Sequence, residues 1–278
     1  MRQRRFIQYD VFSPVATSGN GLAVVVDGEG LSDAQMQTFA AWTNLAETTF
    51  ILPPEDERAD YKLRIFTTTR EMLFAGHPTL GSCAAWLHSG SISKQKGLVR
   101  QECGVGIVDI DVSGQQLAFV APPTKIETMP ERQLAEILEA LNIPEDQVLH
   151  TAILDNGPVW QTLQLETAEQ VLAVDSSRVK WPETRPIGLI AAHHQDHECD
   201  YEVRMLAPSS GMSEDPITGS LNAALAHWLT SDGRISTPVT IAQGTKINRH
   251  GRVAVRLRGD DVLIGGDTHI IIEGNVVL

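Results

Sequence analysis

Cysteine, aromatic and cationic side chains are all scarce in this chain, and each scarcity removes a class of protein. The three cysteines, Cys83, Cys103 and Cys199, are odd in number and lack any CxxC spacing. They suit a reducing, cytoplasmic compartment rather than a disulfide framework. Lys and Arg number 22 against 35 Asp and Glu, a formal net charge of −13 with a pI near 5.1. That balance is unfavourable for phosphate-backbone binding, and no dense basic stripe offsets it, so nucleic acid is not an expected partner. No run approaches ~18 apolar residues, and the basic start Met1-Arg2-Gln3-Arg4-Arg5 leads into Phe6-Ile7-Gln8-Tyr9-Asp10, too short and polar for a signal-peptide core. No membrane segment is expected. The familiar catalytic signatures HExxH and GxSxG are missing, as are a P-loop and a catalytic Cys–His pattern. Gly104-Val105-Gly106 lacks the third glycine and following helix of a dinucleotide fingerprint and reads as hairpin chemistry. With 42% hydrophobic residues among 278, the chain can nevertheless bury a large core, in one large or two medium domains.

What the chain does have is a stretch written twice. Phe74-Ala75-Gly76-His77-Pro78-Thr79-Leu80-Gly81-Ser82-Cys83-Ala84-Ala85-Trp86-Leu87 is echoed by Glu214-Asp215-Pro216-Ile217-Thr218-Gly219-Ser220-Leu221-Asn222-Ala223-Ala224-Leu225. Without a gap, His77 falls on Asp215, Pro78 on Pro216, Gly81 on Gly219, Ser82 on Ser220 and Leu87 on Leu225, each pair 138 positions apart. Each copy reads as a helix start, with the polar residue at the N-cap and Pro at the first helical position. The Gly and Ser then fall in the first turn, where free N–H groups and the helix dipole attract anions. Two such ends would grip a small carboxylate. For either copy alone, an ordinary capped helix is the simpler account.

In order, Arg5 to Val11 and Leu22 to Val26 read as strands around the turn-prone Ser18-Gly19-Asn20-Gly21. A helix opens at Leu31-Ser32-Asp33, with Ser32 or Asp33 as cap, and runs to Asn44. Asn44 to Leu52 is a short turn into a strand with Glu47 at its entry, and Tyr61 to Thr67 is a half-buried strand leading to the first repeated helix. Three short strands follow, at 97–102, 106–112 and 116–121, and Pro122-Pro123 marks the domain boundary. The second half repeats the first. Glu131 to Leu141 is a helix, Asn156-Gly157 echoes Asn20-Gly21, Leu165-Glu166-Thr167-Ala168 echoes Leu31-Ser32-Asp33-Ala34, and Arg204-Met205-Leu206 precedes its helix as Arg64-Ile65-Phe66 precedes the first. Strands at 187–191, 201–207, 239–243, 252–257, 262–264 and 269–273 complete an α+β architecture of two similar barrel-like units, one helix in each. The expected domains are 1–122 and 123–265, with the C-terminal strand 266–278 packing back on the first.

His193, His194, His197 and Cys199 lie close enough to suggest a metal, but the interleaved Asp196, Glu198 and Asp200 read as a polar loop between two strands. Three titratable groups beside turns or helix ends remain: Glu47, His77 and Asp215. A carboxylate at Glu47, in an apolar pocket lined by Leu45 and Phe50, would have a raised pKa and could shuttle a proton. His77 and Asp215 would orient the substrate or share that proton. The plainer roles stay open at this point: Asp215 as an N-cap, His77 as a satisfied cap or core histidine, Glu47 as a surface residue.

At these residues the chain resembles the PhzF (phenazine biosynthesis-like) family, whose fold is shared with diaminopimelate epimerase and proline racemase. The resemblance covers nearly the whole length, through Asp10-Val11-Phe12, Gly19-Asn20, Asn44-Leu45-Ala46-Glu47-Thr48, Phe74 to Gly81, Asn156-Gly157-Pro158, Glu214 to Ser220 and Gln243-Gly244. It implies two pseudosymmetric domains, each a β-barrel around a central helix, an active site in the interdomain cleft, and commonly a homodimer. It further implies a cofactor-independent isomerase that moves a proton on a small anionic carboxylate, with Glu47 as the proton-transfer residue and His77 and Asp215 as its partners. Asn20, Gly76, Thr218, Gly219 and Ser220 would bind substrate, and no metal or cofactor is implied. Related racemases carry cysteines where this chain places Ala75 and Pro216, which argues against two-cysteine racemisation, and Gly21 stands where relatives commonly have Pro. The alternatives are a racemase or epimerase with another base pair, and a ligand-binding member of the fold without chemistry.

Overall fold

A computed structural model describes residues 1–177, 179, 181, 185–208 and 213–278. The chain divides into two compact units, one comprising Met1–Val120 with Leu263–Leu278, the other Ala121–Val262. The first contains β1 (Gln3–Val11), β2 (Asn20–Val25), α1 (Asp33–Thr43), β3 (Glu47–Leu52), β4 (Tyr61–Phe66), β5 (Glu71–Met72), α2 (Gly76–His88), β6 (Leu98–Cys103), β7 (Gly106–Asp111) and β8 (Leu117–Val120). The second contains β9 (Lys125–Glu127), α3 (Glu131–Leu141), β10 (Val148–Asp155), β11 (Val159–Leu165), α4 (Ala168–Ala173), β12 (Ile187–Ala192), β13 (Tyr201–Leu206), β14 (Glu214–Asp215), α5 (Gly219–Ser231), β15 (Val239–Gln243) and β16 (Gly251–Arg258). The chain ends with β17 (Asp261–Gly266) and β18 (Thr268–Val277), which returns to pair antiparallel with β1.

The two units use the same pairing scheme. In the first, β1 pairs antiparallel with β2, β2 parallel with β3, β3 antiparallel with β4, and β4 antiparallel with β5 and parallel with β6. In the second, β10, β11, β12, β13, β14 and β15 repeat those steps in the same senses. Successive side chains on a strand face opposite ways, so each strand feeds two layers. On β3, Thr49 hydrogen-bonds Ser82 of α2 at 2.9 Å, while Phe50 on the other face joins Met36 and Phe39 of α1. Helix α2 packs against β1, β2, β3, β4, β6, β8 and β18, and Leu80, Cys83 and Ala85 on it are fully buried. In the second unit α3 and α4 pack on sheet residues Leu163, Leu165, Ile187, Leu189 and Leu206, while nearly all of α5 is buried.

Local chemistry accounts for the peripheral helices. Ser32 caps α1 in a capping box with Gln35, and Thr167 caps α4 in the same box with Gln170, the structural form of the Leu31 and Leu165 echo. One segment departs from expectation. No strand is read from 148–165, yet β10 and β11 form a hairpin there around Asn156-Gly157-Pro158. Buried Gln161, Thr162 and Gln164 break the apolar pattern that would have marked β11. The other copy of that dipeptide differs too: Asn20 and Gly21 begin β2 rather than forming a turn.

Candidate active site

The repeated helices start neither where the sequence pattern puts them nor in step with it. Both are 13 residues long, but α2 begins at Gly76 with Ala75 as N-cap, and α5 begins at Gly219 with Thr218 as N-cap. Pro78 is therefore the third residue of α2, still among the positions whose N–H has no helical acceptor, while Pro216 lies before α5 altogether. His77 is not an N-cap but the second helical residue, and Asp215 sits at the end of β14. Gly81 and Ser82 belong to the second turn of α2, so only Gly219 and Ser220 occupy a first turn as expected. By element, Gly76 corresponds to Gly219, Ala75 to Thr218 and His77 to Ser220. Gly90 and Gly233, both with positive φ (87° and 69°) just past the C-caps, keep the same spacing. The partner of Ala75 is thus Thr218 rather than Pro216.

In the first unit, three of the expected site residues come together. The Asp10 carboxylate accepts from the N–H groups of Ser18 and Gly19, fixing the loop that delivers Asn20. Gly19 is required there, because a Cβ would lie 2.3 Å from the Val11 carbonyl oxygen. Asn20 Nδ2 then lies 3.4 Å from His77 Nδ1, and His77 Nε2 lies 3.3 Å from Glu47 Oε2. An amide nitrogen only donates, so Nδ1 is the acceptor and the neutral ring carries its hydrogen on Nε2, facing the carboxylate. The two atoms lie within ion-pair distance but are not aligned as a hydrogen bond. His77 is 4% exposed, and burial pulls its pKa down to about 3, so it remains neutral across the physiological range. The pleat turns Phe50 to the α1 face, so Phe50 is no wall of the Glu47 site.

In the second unit, Asp215, Thr218, Gly219 and Ser220 form a buried turn. Thr218 Oγ1 donates to Asp215 Oδ2 at 2.5 Å. Asn156 Nδ2 donates to the Ser220 carbonyl at 2.8 Å and is steadied by Trp160 Nε1 at 3.0 Å. Asn20 and Asn156 therefore address equivalent positions, the second residue of each central helix. Two residues that the sequence did not single out for a role support these turns. Gln101 and Gln243, both fully buried, reach the fourth residues of α2 and α5, Thr79 and Asn222. A single buried glutamine in a strand leaves no pattern in sequence to mark it.

A bidentate pair, Arg204 to Glu214 at 3.1 and 2.7 Å, pins β14 just ahead of Asp215, and the same arginine caps α4 through the carbonyls of Val171 and Val174. The histidine-rich segment is an organised loop. His193 and His197 stack at 3.6 Å, His193 Nε2 lies 3.2 Å from Glu202 Oε2, and His197 Nδ1 accepts from the Cys199 N–H. Among the described residues no group of three His, Cys, Asp or Glu is arranged to hold a metal ion, and no helix is long and apolar enough to cross a membrane. All three cysteines are buried, and burial raises each thiol pKa, which disfavours the nucleophilic thiolate.

This fold, a mixed α+β arrangement with a large sheet and few helices, is the epimerase-like fold. Residues 9–276 match the family described as phenazine biosynthesis-like protein (PhzC-PhzF), and the chain belongs to that family. It is 35% identical to antisense-enhancing sequence 1 of Schizosaccharomyces pombe over 99% of both chains. It is 31% identical to a trans-2,3-dihydro-3-hydroxyanthranilate isomerase of Pseudomonas fluorescens, over 98% of this chain and 96% of that one. The crystal structure of a PhzF-family protein from Bacillus anthracis superposes with a TM-score of 0.84 at 21% identity, covering 100% of both chains.

Proposed function

We propose that this protein is a cofactor-independent isomerase that moves a proton on a small carboxylate, with Glu47 as the acid and base. The observation that carries the reading is the Glu47–His77 contact at 3.3 Å, in which a buried neutral imidazole presents its N–H to one carboxylate oxygen. A donor so placed has only to close its hydrogen bond to orient the carboxylate without neutralising it, leaving the carboxylate able to take a proton from carbon. One base suffices for an isomerisation that removes the proton and returns it elsewhere on the same face. Asp215 and the turn from Thr218 to Ser220 bind the substrate and share in handling its proton.

Helix termini support the anionic substrate. The peripheral helices α1 and α4 have complete capping boxes, whereas neither Ala75 nor Thr218 places a side-chain cap on the central helices. The first turns at Gly76 and Gly219 present the positive end of each helix dipole, which favours a carboxylate. The names of relatives add a substrate class: the isomerases of Pseudomonas act on a dihydro-hydroxyanthranilate, an amino carboxylate.

The test is Glu47→Gln, which keeps shape and removes the base. With trans-2,3-dihydro-3-hydroxyanthranilate or a related unsaturated carboxylate as substrate, turnover should fall roughly 100-fold to 10,000-fold while binding and folding are retained. In deuterated water, deuterium should appear at the carbon that gains the proton. A Glu47→Gln protein that turns over at the wild-type rate overturns the assignment.

A further inference from the structure

Gln243, at the end of β15, makes four hydrogen bonds with one buried amide. Its Oε1 accepts from the Thr218 backbone N–H at 3.0 Å and from Asn222 Nδ2 at 2.7 Å, while its Nε2 donates to Thr218 Oγ1 at 3.1 Å and to the Asp215 carbonyl at 3.3 Å. A backbone N–H can only donate and a carbonyl can only accept, so these main-chain partners fix which end of the amide is oxygen. Thr218 Oγ1 thus receives an N–H and must point its single hydrogen elsewhere. Asp215 Oδ2, at 2.5 Å, takes it.

The first unit holds the same relay with a different end. Tyr61 donates to Gln101 Oε1 at 3.0 Å, Gln101 Nε2 donates to Thr79 Oγ1 at 3.1 Å, and the Thr79 hydroxyl donates to the Ala75 carbonyl at 2.9 Å, an ordinary bond within α2. The shared part, buried glutamine to threonine hydroxyl, therefore serves helix packing in one unit. In the other its hydrogen ends on a carboxylate.

We infer that Gln243 is a positioning residue for Asp215, turning the Thr218 hydroxyl so that its hydrogen is delivered to Asp215 Oδ2 and that oxygen is held as an acceptor. The kinetic consequence rests on the isomerase reading above; the geometry does not. Neighbouring Glu214 is paired with Arg204 at 2.7 Å.

The experiment uses full-length protein with aspartate labelled by 13C at Cγ, the Asp215 resonance being identified by its loss in Asp215→Asn. Its titration midpoint is compared in wild type, Gln243→Met, Thr218→Val, the double variant and Thr218→Ser. A hydrogen bond to a charged acceptor is worth enough that losing it should raise the midpoint by about one pH unit. Gln243→Met and Thr218→Val should each do so, the double variant should do no more than the larger single change, and Thr218→Ser, which keeps the hydroxyl, should titrate like wild type. An unmoved midpoint in folded Gln243→Met, or fully additive shifts, overturns the inference. If Gln243→Met does not fold, the threonine pair decides: a shift in Val and none in Ser supports the relay, and the absence of a shift in Val refutes it. A coupled titration in a protein that isomerises no carboxylate would leave the relay standing and sink the isomerase reading. In an active enzyme, Gln243→Met should lower kcat about tenfold or more with little change in KM.

Discussion

Replacing His77 with glutamine should abolish a specific loss of stability in mild acid. In the native protein, burial holds the imidazole pKa near 3, whereas in the unfolded chain it returns to about 6.5. Between those values the unfolded state binds a proton that the native state does not, so stability falls as pH is lowered. The slope is about 1.4 kcal/mol per pH unit through that window, which puts the His77 contribution at pH 5 near 2 kcal/mol below its value at pH 7.5. Urea unfolding of wild type and His77→Gln at pH 5, 6 and 7.5 reads the effect as a difference between two pH profiles. His193 and His227, also lowered by burial, act in the same direction, and Glu202, raised to about 7, acts in the opposite one. All three are present in both proteins and cancel in the comparison. Parallel profiles would refute the buried neutral imidazole. A wild type that gains stability over the variant in acid would show instead that His77 protonates and pairs with Glu47.

Other perturbations test the scaffold. Arg204→Met strands the Glu214 carboxylate, whose side chain is 4% exposed, and should cost about 3–5 kcal/mol in urea unfolding, whereas Arg204→Met with Glu214→Leu should recover most of the loss; a single variant within 1 kcal/mol of wild type, as roughly expected of a surface pair, would show the pair to be dispensable. Gly81→Ala should lower Tm despite the better helix propensity of alanine, because its Cβ would sit 2.6 Å from Leu22 Cδ2 and 3.0 Å from Val11 Cγ2 in a fully buried contact. A raised Tm would mean that Leu22 can yield.

Much of the first unit was legible because its signals are local. Ser32 and Asn44 bound α1 as their cap chemistry requires, and Glu47 begins β3 after the turn that Asn44 opens with φ of 55°. The repeat was visible as well, but its register was not. Matching Gly81 to Gly219 maximises identical letters, while the helices themselves align Gly76 with Gly219, because what is repeated is a strand, a three-residue connection and a helix rather than a string of residues. Pro was a poor guide to the helix start for the same reason, being tolerated anywhere in the first turn. The contacts of His77 with Asn20 and Glu47 join segments far apart in the chain, as do those of Gln243 with Asp215 and Thr218, so only the folded chain reveals them.

The fork of Arg204 on Glu214 has a twin in Arg64 on Glu71, at 2.7 Å for both bonds, with a further contact from Arg64 to Asp33 at the start of α1. The Arg64 and Glu71 side chains are 20% and 42% exposed, those of Arg204 and Glu214 3% and 4%. Duplicated architecture has therefore not meant duplicated tolerance. In one half the strand before the central helix is fastened by a clasp that water can loosen and salt can screen; in the other it is sealed from both, and any sequence drift at Arg204 must be matched at Glu214. The half that carries Asp215 is the one that tolerates less change at its clasp.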